Sequence, residues 1–269
     1  MANAKDYVDK VNIMKDDFGW EIPVELVPIP SRGVIYDPES SLYKKEAVKI
    51  KSMTAREEDI LSSAALIKEG TVLDHLISSC LTENIDARDM LVGDRNALMI
   101  AIRITGYGPE YGIAASCDKC GHRNSFSVDL SSLPIKRLSL EPEEEGRNIF
   151  KFKLPVTKKN VYFKLPTLRD ERERTAKEKT LNQHIKVLIE SNVTGNLETV
   201  IQRIDNITDK NKIKHFIMNM PAYDSRALRK FIKDCEPGMD MSCSFTCENC
   251  GAANDSNIPI TTEFFWPST

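Results

Sequence analysis

Apolar positions along this chain change between a period of two and a period near 3.6, and those changes mark its elements. From Trp20 to Tyr36 the spacing predicts strand: Val24, Leu26, Val27 and Ile29, then a Ser31-Arg32-Gly33 turn, then Val34-Ile35-Tyr36. Pro23, Pro28 and Pro30 cannot donate to a ladder, which predicts an edge or surface-hugging segment. Ala47 to Lys51 reads as a strand. Residues 55–69, 72–81 and 94–105 carry the helical period, and the last puts Ala97, Leu98, Ala101, Ile102 and Ile104 on a broad apolar face. Phe150–Leu154 and Val161–Leu165 alternate around Thr157-Lys158-Lys159-Asn160 and predict a hairpin. Residues 196–205, 210–220 and 225–235 predict further helices. Arg169 to Lys179 interleaves basic and acidic residues, as a solvated helix with intrahelical ion pairs would. Residues 1–16 are polar and read as a loose arm or short helix.

The pattern repeats. Asp94-x-x-Ala97-Leu98 recurs as Asp224-x-x-Ala227-Leu228, and Gly108, Cys117, Cys120, Gly121 and Asn124 recur as Gly238, Cys247, Cys250, Gly251 and Asn254. After each cysteine pair the alternation matches, Val128 and Leu130 against Ile258 and Ile260. Upstream, Val48 to Arg56 resembles Val161 to Arg169, with Thr54 and Glu57 as a capping box and Thr167 and Asp170 as its weaker analogue. Asp94 and Asp224 read as helix N-caps. The expected fold is therefore α+β with two related halves. The first half covers 20–140, after an N-terminal arm of 1–19. An acidic linker (141–148, around Glu143-Glu144-Glu145-Gly146) leads to the second half, 149–269.

Composition narrows the function. The 269 residues include 37 basic and 40 acidic ones, a net charge of −3, so there is no global field to hold a polyanion. Hydrophobic residues at 41% and charged residues at 29% suit a folded domain, not a disordered one. The longest apolar window, Ala97 to Ile104, is too short to span a membrane and contains Arg103. Met1 to Asp6 lacks the apolar core of a signal peptide. A soluble protein made in a reducing compartment is the expectation, and the odd count of seven cysteines argues against a disulfide framework.

Four of those cysteines form a pattern of their own. Cys117-Asp118-Lys119-Cys120-Gly121 and Cys247-Glu248-Asn249-Cys250-Gly251 are both C-x-x-C-G turns, the knuckle of a zinc ribbon. Two intervening residues let both sulfurs reach one ion, and the glycine supplies the positive φ that turns backbone N–H groups toward the thiolates. A closed structural zinc needs four ligands, and two knuckles supply four: Cys117, Cys120, Cys247 and Cys250. One zinc per chain, clamping the halves together, is the economical reading. Reduced structural thiols, or knuckles paired between chains, are the alternatives. Cys80 and Cys235 read as core, Cys243 as a buried strand cysteine beside Met241 and Phe245, and His122 as a solvent-facing turn residue in preference to a ligand replacing one thiolate. The aromatic tail Phe264-Phe265-Trp266-Pro267 is either tucked into the core or a partner anchor through Phe264, Phe265 and Trp266.

No catalytic constellation accompanies these features. Phosphate-loop, dinucleotide, zinc-protease and serine-elbow motifs are absent, and His75, His122, His184 and His215 lack metal spacing. A zinc-ribbon nucleic-acid accessory is the competing class. The basic tract Lys210, Lys212, Lys214, Arg226, Arg229, Lys230 and Lys233 supports it; the interspersed Asp209, Asp224 and Asp234 count against it.

Three motifs carry a resemblance. They are Val27-Pro28-Ile29-Pro30-Ser31-Arg32-Gly33, Met53-Thr54-Ala55-Arg56-Glu57-Glu58-Asp59-Ile60-Leu61, and Leu91-Val92-Gly93-Asp94-Arg95-Asn96-Ala97-Leu98 running on to Ile104-Thr105-Gly106-Tyr107-Gly108. Together with the first knuckle they resemble the baseplate hub protein family of T4-like contractile-tailed phages, over residues 20–170. The second half matches loosely. The resemblance implies a non-enzymatic structural or assembly component of the tail baseplate. It would sit among other baseplate or tail proteins in a symmetric assembly, and be made in the host cytoplasm.

Overall fold

The computed structural model of the chain describes residues 12–15, 18–174, 176 and 192–266. Its first sheet is antiparallel, in the order β1 (Asn12–Lys15), β2 (Glu21–Pro28), β3 (Ala47–Lys51). The proline-bearing β2 is thus the central strand and not an edge. The segment read as a loose arm contributes β1, which pairs Ile13 opposite Pro23, while residues 1–11 lie outside the described residues. β2 ends at Pro28, and Val34-Ile35-Tyr36 is a run of turns instead of a strand. Arg32 and Gly33 both take positive φ (56° and 69°) and reverse the backbone there. A Cβ on Gly33 would lie 2.3 Å from the Leu42 carbonyl oxygen, so only glycine fits.

The predicted helix over 55–69 is two helices, α1 (Ala55–Ser62) and α2 (Ala64–Glu69), because Ser63 adopts an extended conformation between them. The Thr54–Glu57 capping box forms as expected. α3 (Val72–Cys80) and the long α4 (Val92–Tyr107) follow. Hairpin β4 (Glu110–Ser116) and β5 (Arg123–Asp129) carries the first knuckle, and β6 (Ile135–Lys136) closes this region.

The next sheet is β7 (Phe150–Lys153), β8 (Asn160–Phe163) and β9 (Ile201–Ile204), in that order. Residues 168–174 are helical, and the rest of the charged run Arg169–Lys179, apart from Ala176, lies outside the described residues. The predicted helix over 196–205 ends early. α5 (Asn192–Val200) gives way to β9, because Ile201 and Ile204 bury themselves by pairing with Phe163 and Val161 of β8. Their spacing of three residues suits a helix equally well, and tertiary pairing decides. α6 (Lys210–Met218), α7 (Ala222–Cys235) and β10 (Gly238–Met239) lead to the second knuckle hairpin, β11 (Ser242–Thr246) and β12 (Ala253–Asn257).

One apolar cluster runs through both parts, from Val27 in β2 to Phe265 near the C-terminus. β6 pairs antiparallel with β10, and Leu91 bridges Thr167. Cys80 and Cys235 are buried, as expected. Phe264 and Phe265 have no exposed surface and stand edge to face at 5.3 Å, with Tyr111 at 5.0 Å from Phe264. This corrects the anchor reading for these two rings, since a side chain without surface has none to offer a partner; Trp266 remains 38% exposed. Buried Arg103 secures the tail. Its Nε donates to the Phe264 carbonyl at 3.1 Å, and its Nη1 and Nη2 donate to the carbonyls of Gly108 and Glu110.

Asp94 and Asp224 are not caps. Each sits at the third position of its helix, α4 or α7, behind Leu91 and Pro221 as the capping residues. Both carboxylates are buried and reach across to a distant loop. Asp94 accepts from Ser31 N–H, Ser31 Oγ and Tyr36 Oη, and Asp224 accepts from Val156 N–H, Thr157 N–H and Thr157 Oγ1. Each thereby ties its long helix to the connection after the first strand of a strand pair, β2–β3 or β7–β8. A second correspondence lies at the helix starts. Glu57 accepts from Thr54 N–H and Oγ1 and pairs with Lys51, while Asp170 accepts from Thr167 N–H and Oγ1 and pairs with Lys164.

Candidate metal centre

The two knuckles have the same backbone. Cys117 N–H donates to the His122 carbonyl at 2.9 Å and Gly121 N–H to the Cys117 carbonyl at 2.9 Å. Cys247 N–H donates to Ala252 at 2.9 Å, and Gly251 N–H to Cys247 at 2.8 Å. Gly121 and Gly251 have φ of 73° and 69°, with no atom near enough to crowd a Cβ, so backbone conformation and not space calls for glycine. Regular β4–β5 and β11–β12 ladders hold both turns at the ends of rigid hairpins.

The hairpins meet face to face. Phe126 of β5 stacks on Phe245 of β11 at 4.8 Å. Beyond this aromatic brace all four sulfurs converge within 4.8 Å of one another. Cys117 Sγ lies 3.7 Å from Cys250 Sγ, and Cys120 Sγ lies 3.7 Å from Cys247 Sγ. These separations are far longer than a disulfide, at about 2.05 Å. They match the edge of a tetrahedron whose metal–sulfur bonds are about 2.3 Å, which is about 3.8 Å. The first cysteine of each knuckle is buried and the second is exposed.

The environment favours thiolates unevenly. Burial opposes ionisation of Cys117, but N–H groups of Cys120 and Lys119 and the neighbouring thiols outweigh it and bring it down to about 6. Cys247 is lowered in the same way: burial is overcome by the Cys250 and Asn249 N–H groups, with Cys120 and Asn124 assisting. The Ala252 N–H favours the Cys250 thiolate, but the surrounding sulfurs and burial push this thiol up to about 11. The surroundings of the two buried cysteines, Cys117 and Cys247, thus favour the thiolate. Four such sulfurs suit a soft or borderline cation, and the all-sulfur tetrahedral set fits zinc.

Two residues with no assigned role in the sequence reading complete the centre. Asn124 is buried; its Oδ1 accepts the N–H of Glu248 in the opposite knuckle at 2.9 Å, while its Nδ2 donates to His122 of its own turn at 3.0 Å. Asn254 mirrors this, accepting the Asp118 N–H at 3.0 Å and donating to Ala252 at 2.8 Å. Their recurrence at the same place after each knuckle was the available signal. His122 is exposed on its turn, and Cys243 is in β11 as expected but only half-buried, with its Sγ toward the Ser256 carbonyl; neither joins the four sulfurs.

Residues 36–266, a span that includes both knuckles, match the family model described as T4 bacteriophage base plate protein. The chain belongs to that family. This T4-type baseplate protein is therefore a structural component of the phage tail, and its place is the virion tail. The match extends through the second half, beyond the 20–170 covered by the motif resemblance, and excludes β1, β2 and the Val27–Gly33 motif. Comparison with curated proteins gave no match, and comparison with solved structures gave none either. Among the described residues no helix is long and apolar enough to cross a membrane.

Proposed function

We propose that this baseplate protein is a non-catalytic structural or assembly component of the hub region, made of two copies of one unit and clamped by a single structural zinc. The observation that carries the reading is the convergence of four sulfurs, from turns 130 residues apart in sequence, at tetrahedral spacing. The paired Asp94 and Asp224 loop ties, the Lys51–Glu57 and Lys164–Asp170 ion pairs and the mirrored knuckles support a duplication with halves 20–140 and 149–269. Four thiolates close the coordination shell and leave no position for a reactive water, so the ion would act mechanically. Contacts to other baseplate proteins are assigned to the N-terminal hairpin, where Phe18 and Trp20 are 87% and 75% exposed, and to Trp266.

Metal analysis tests the clamp. Purified protein should contain one zinc per chain. After chelation, light scattering should show a chain of unchanged mass with looser structure. A metal-free protein, or a chain whose oligomeric state depends on zinc, would overturn the intramolecular clamp. For the surface, Phe18→Ala with Trp20→Ala should reduce co-assembly with baseplate partners while circular dichroism still shows a folded chain. Full co-assembly would remove the hairpin from the interface.

A further inference from the structure

We infer that Asn124 and Asn254 are positioning residues of the thiolate centre: two amide locks that hold the opposing knuckles in register before any metal arrives. The inference deepens the zinc reading and rests on it. Its basis is the reciprocal geometry. Each amide has one end on its own turn, through Nδ2 to the His122 or Ala252 carbonyl, and one end on the other turn, through Oδ1 from the Glu248 or Asp118 N–H. The two N–H groups gripped this way directly follow Cys117 and Cys247, the buried ligands. Holding that peptide places the cysteine Cβ, and so sets where Sγ lies relative to the opposite pair. Asn124 Nδ2 also comes within 3.7 Å of Cys247 Sγ across the centre.

The chemistry requires an amide. The group needs one acceptor and one donor on a short stem, facing an N–H and a carbonyl respectively. Aspartate would keep the acceptor but turn an oxygen toward the carbonyl and bring negative charge beside the sulfurs. Serine or alanine would take the acceptor away from the Glu248 or Asp118 N–H and the second donor away from the His122 or Ala252 carbonyl, which would keep only the N–H of Cys117 or Cys247. Because each lock joins the two hairpins, losing either one frees the same relative motion. The two should therefore act as a unit, and their effects should not add.

Cobalt(II) titration of the metal-free chain provides the first test. Wild type should show the absorption of a tetrahedral four-thiolate complex. Asn124→Ala, Asn254→Ala and the Asn→Asp variants should each weaken affinity by about 10- to 100-fold while keeping the shape of that spectrum. The double variant should fall well short of the product of the single effects. Affinities within about twofold of wild type would overturn the locks.

The second test needs no metal. Glutathione disulfide oxidises two thiols to one disulfide, taking up two electrons and two protons to become two glutathione thiols. In the metal-free wild type the held geometry should direct this to Cys117–Cys250 and Cys120–Cys247, read by peptide mass spectrometry. The alanine variants should shift toward Cys117–Cys120 and Cys247–Cys250. If wild type binds no cobalt yet shows the crosswise pattern, and the variants lose it, the zinc reading fails and the locks stand. If cobalt binds tightly and neither affinity nor pattern changes in the variants, the zinc reading stands and the locks fall.

Discussion

The Tyr36 phenol donates to the Asp94 carboxylate across 2.6 Å inside the core, 58 residues away in the chain. Ser31 adds its hydroxyl and its backbone N–H to the same carboxylate, and Tyr36 Oη in turn accepts the Leu91 N–H. Burial pushes Asp94 up to about 6 even against these three bonds. The folded chain therefore holds this proton more tightly than the unfolded chain, whose aspartates titrate near 3.9.

The consequence is a stability term that weakens as pH rises from about 4 to about 6, and stays level above that. Two pH units correspond to about 3 kcal/mol. Asp94→Asn removes the titration. Urea midpoints of wild type and variant at intervals from pH 4 to 7 should show the stability gap between them shifting toward the variant by that amount. A gap that does not move with pH would disprove the assignment.

Glu57 has the opposite sign. Burial raises it, but hydrogen bonds from Ser79 and Thr54 and the Lys51 ammonium overcome that and hold it at about 2. Its contribution is fully present above about 4.5 and is lost as pH falls toward 2. Glu57→Gln should melt at a lower temperature than wild type at pH 6, and the difference should shrink by pH 3. A constant difference would place its effect in packing alone.

Gly93 and Gly106 lie in the same helix and should respond differently to alanine. A Cβ on Gly93 would stand 1.8 Å from the Pro237 carbonyl oxygen, with other backbone atoms of residues 237 and 238 at 2.8 and 2.9 Å. Nothing there can rotate away, so Gly93→Ala should cost at least about 1–3 kcal/mol. Gly106→Ala would meet first the flexible Met53 side chain, from 3.2 Å, and gains about 1 kcal/mol of helix propensity. Denaturant unfolding should find the first clearly destabilised and the second near wild type; equal midpoints would contradict the close packing of α4 on β10.

Phe264 is predicted to be structural. Phe264→Ala should cost about 3–5 kcal/mol, because the ring is wholly buried against Tyr111 and Phe265. Truncation before residue 264 should also strip the carbonyl bonded by Arg103 Nε and leave that donor buried without it. A truncated chain that melts like wild type would return the tail to the surface.

The centre itself is tested by Cys250→Ser. With metal binding contributing to folding, the variant should melt several degrees below wild type and ignore chelator, while wild type drops toward it on chelation. Unchanged melting in both experiments would dismiss a structural metal.

What could be read in the sequence is what local chemistry determines. C-x-x-C-G specifies a turn within five residues, so both knuckles, their glycines and the four convergent cysteines were legible before any fold was known. So were the Thr54–Glu57 capping box, the β7–β8 hairpin and the baseplate family. The tertiary structure alone decided whatever depended on a partner far along the chain. Asp94 looks like a cap until Ser31 and Tyr36 arrive from 63 and 58 residues away. Ile201 and Ile204 fit a helix until β8 pairs with them, and Phe264 could face solvent until Arg103 draws its carbonyl inward. The Asn124 and Asn254 locks belong to the same class. Their repetition was visible, but a hydrogen bond to the other hairpin exists only once folding has brought two turns 130 residues apart together.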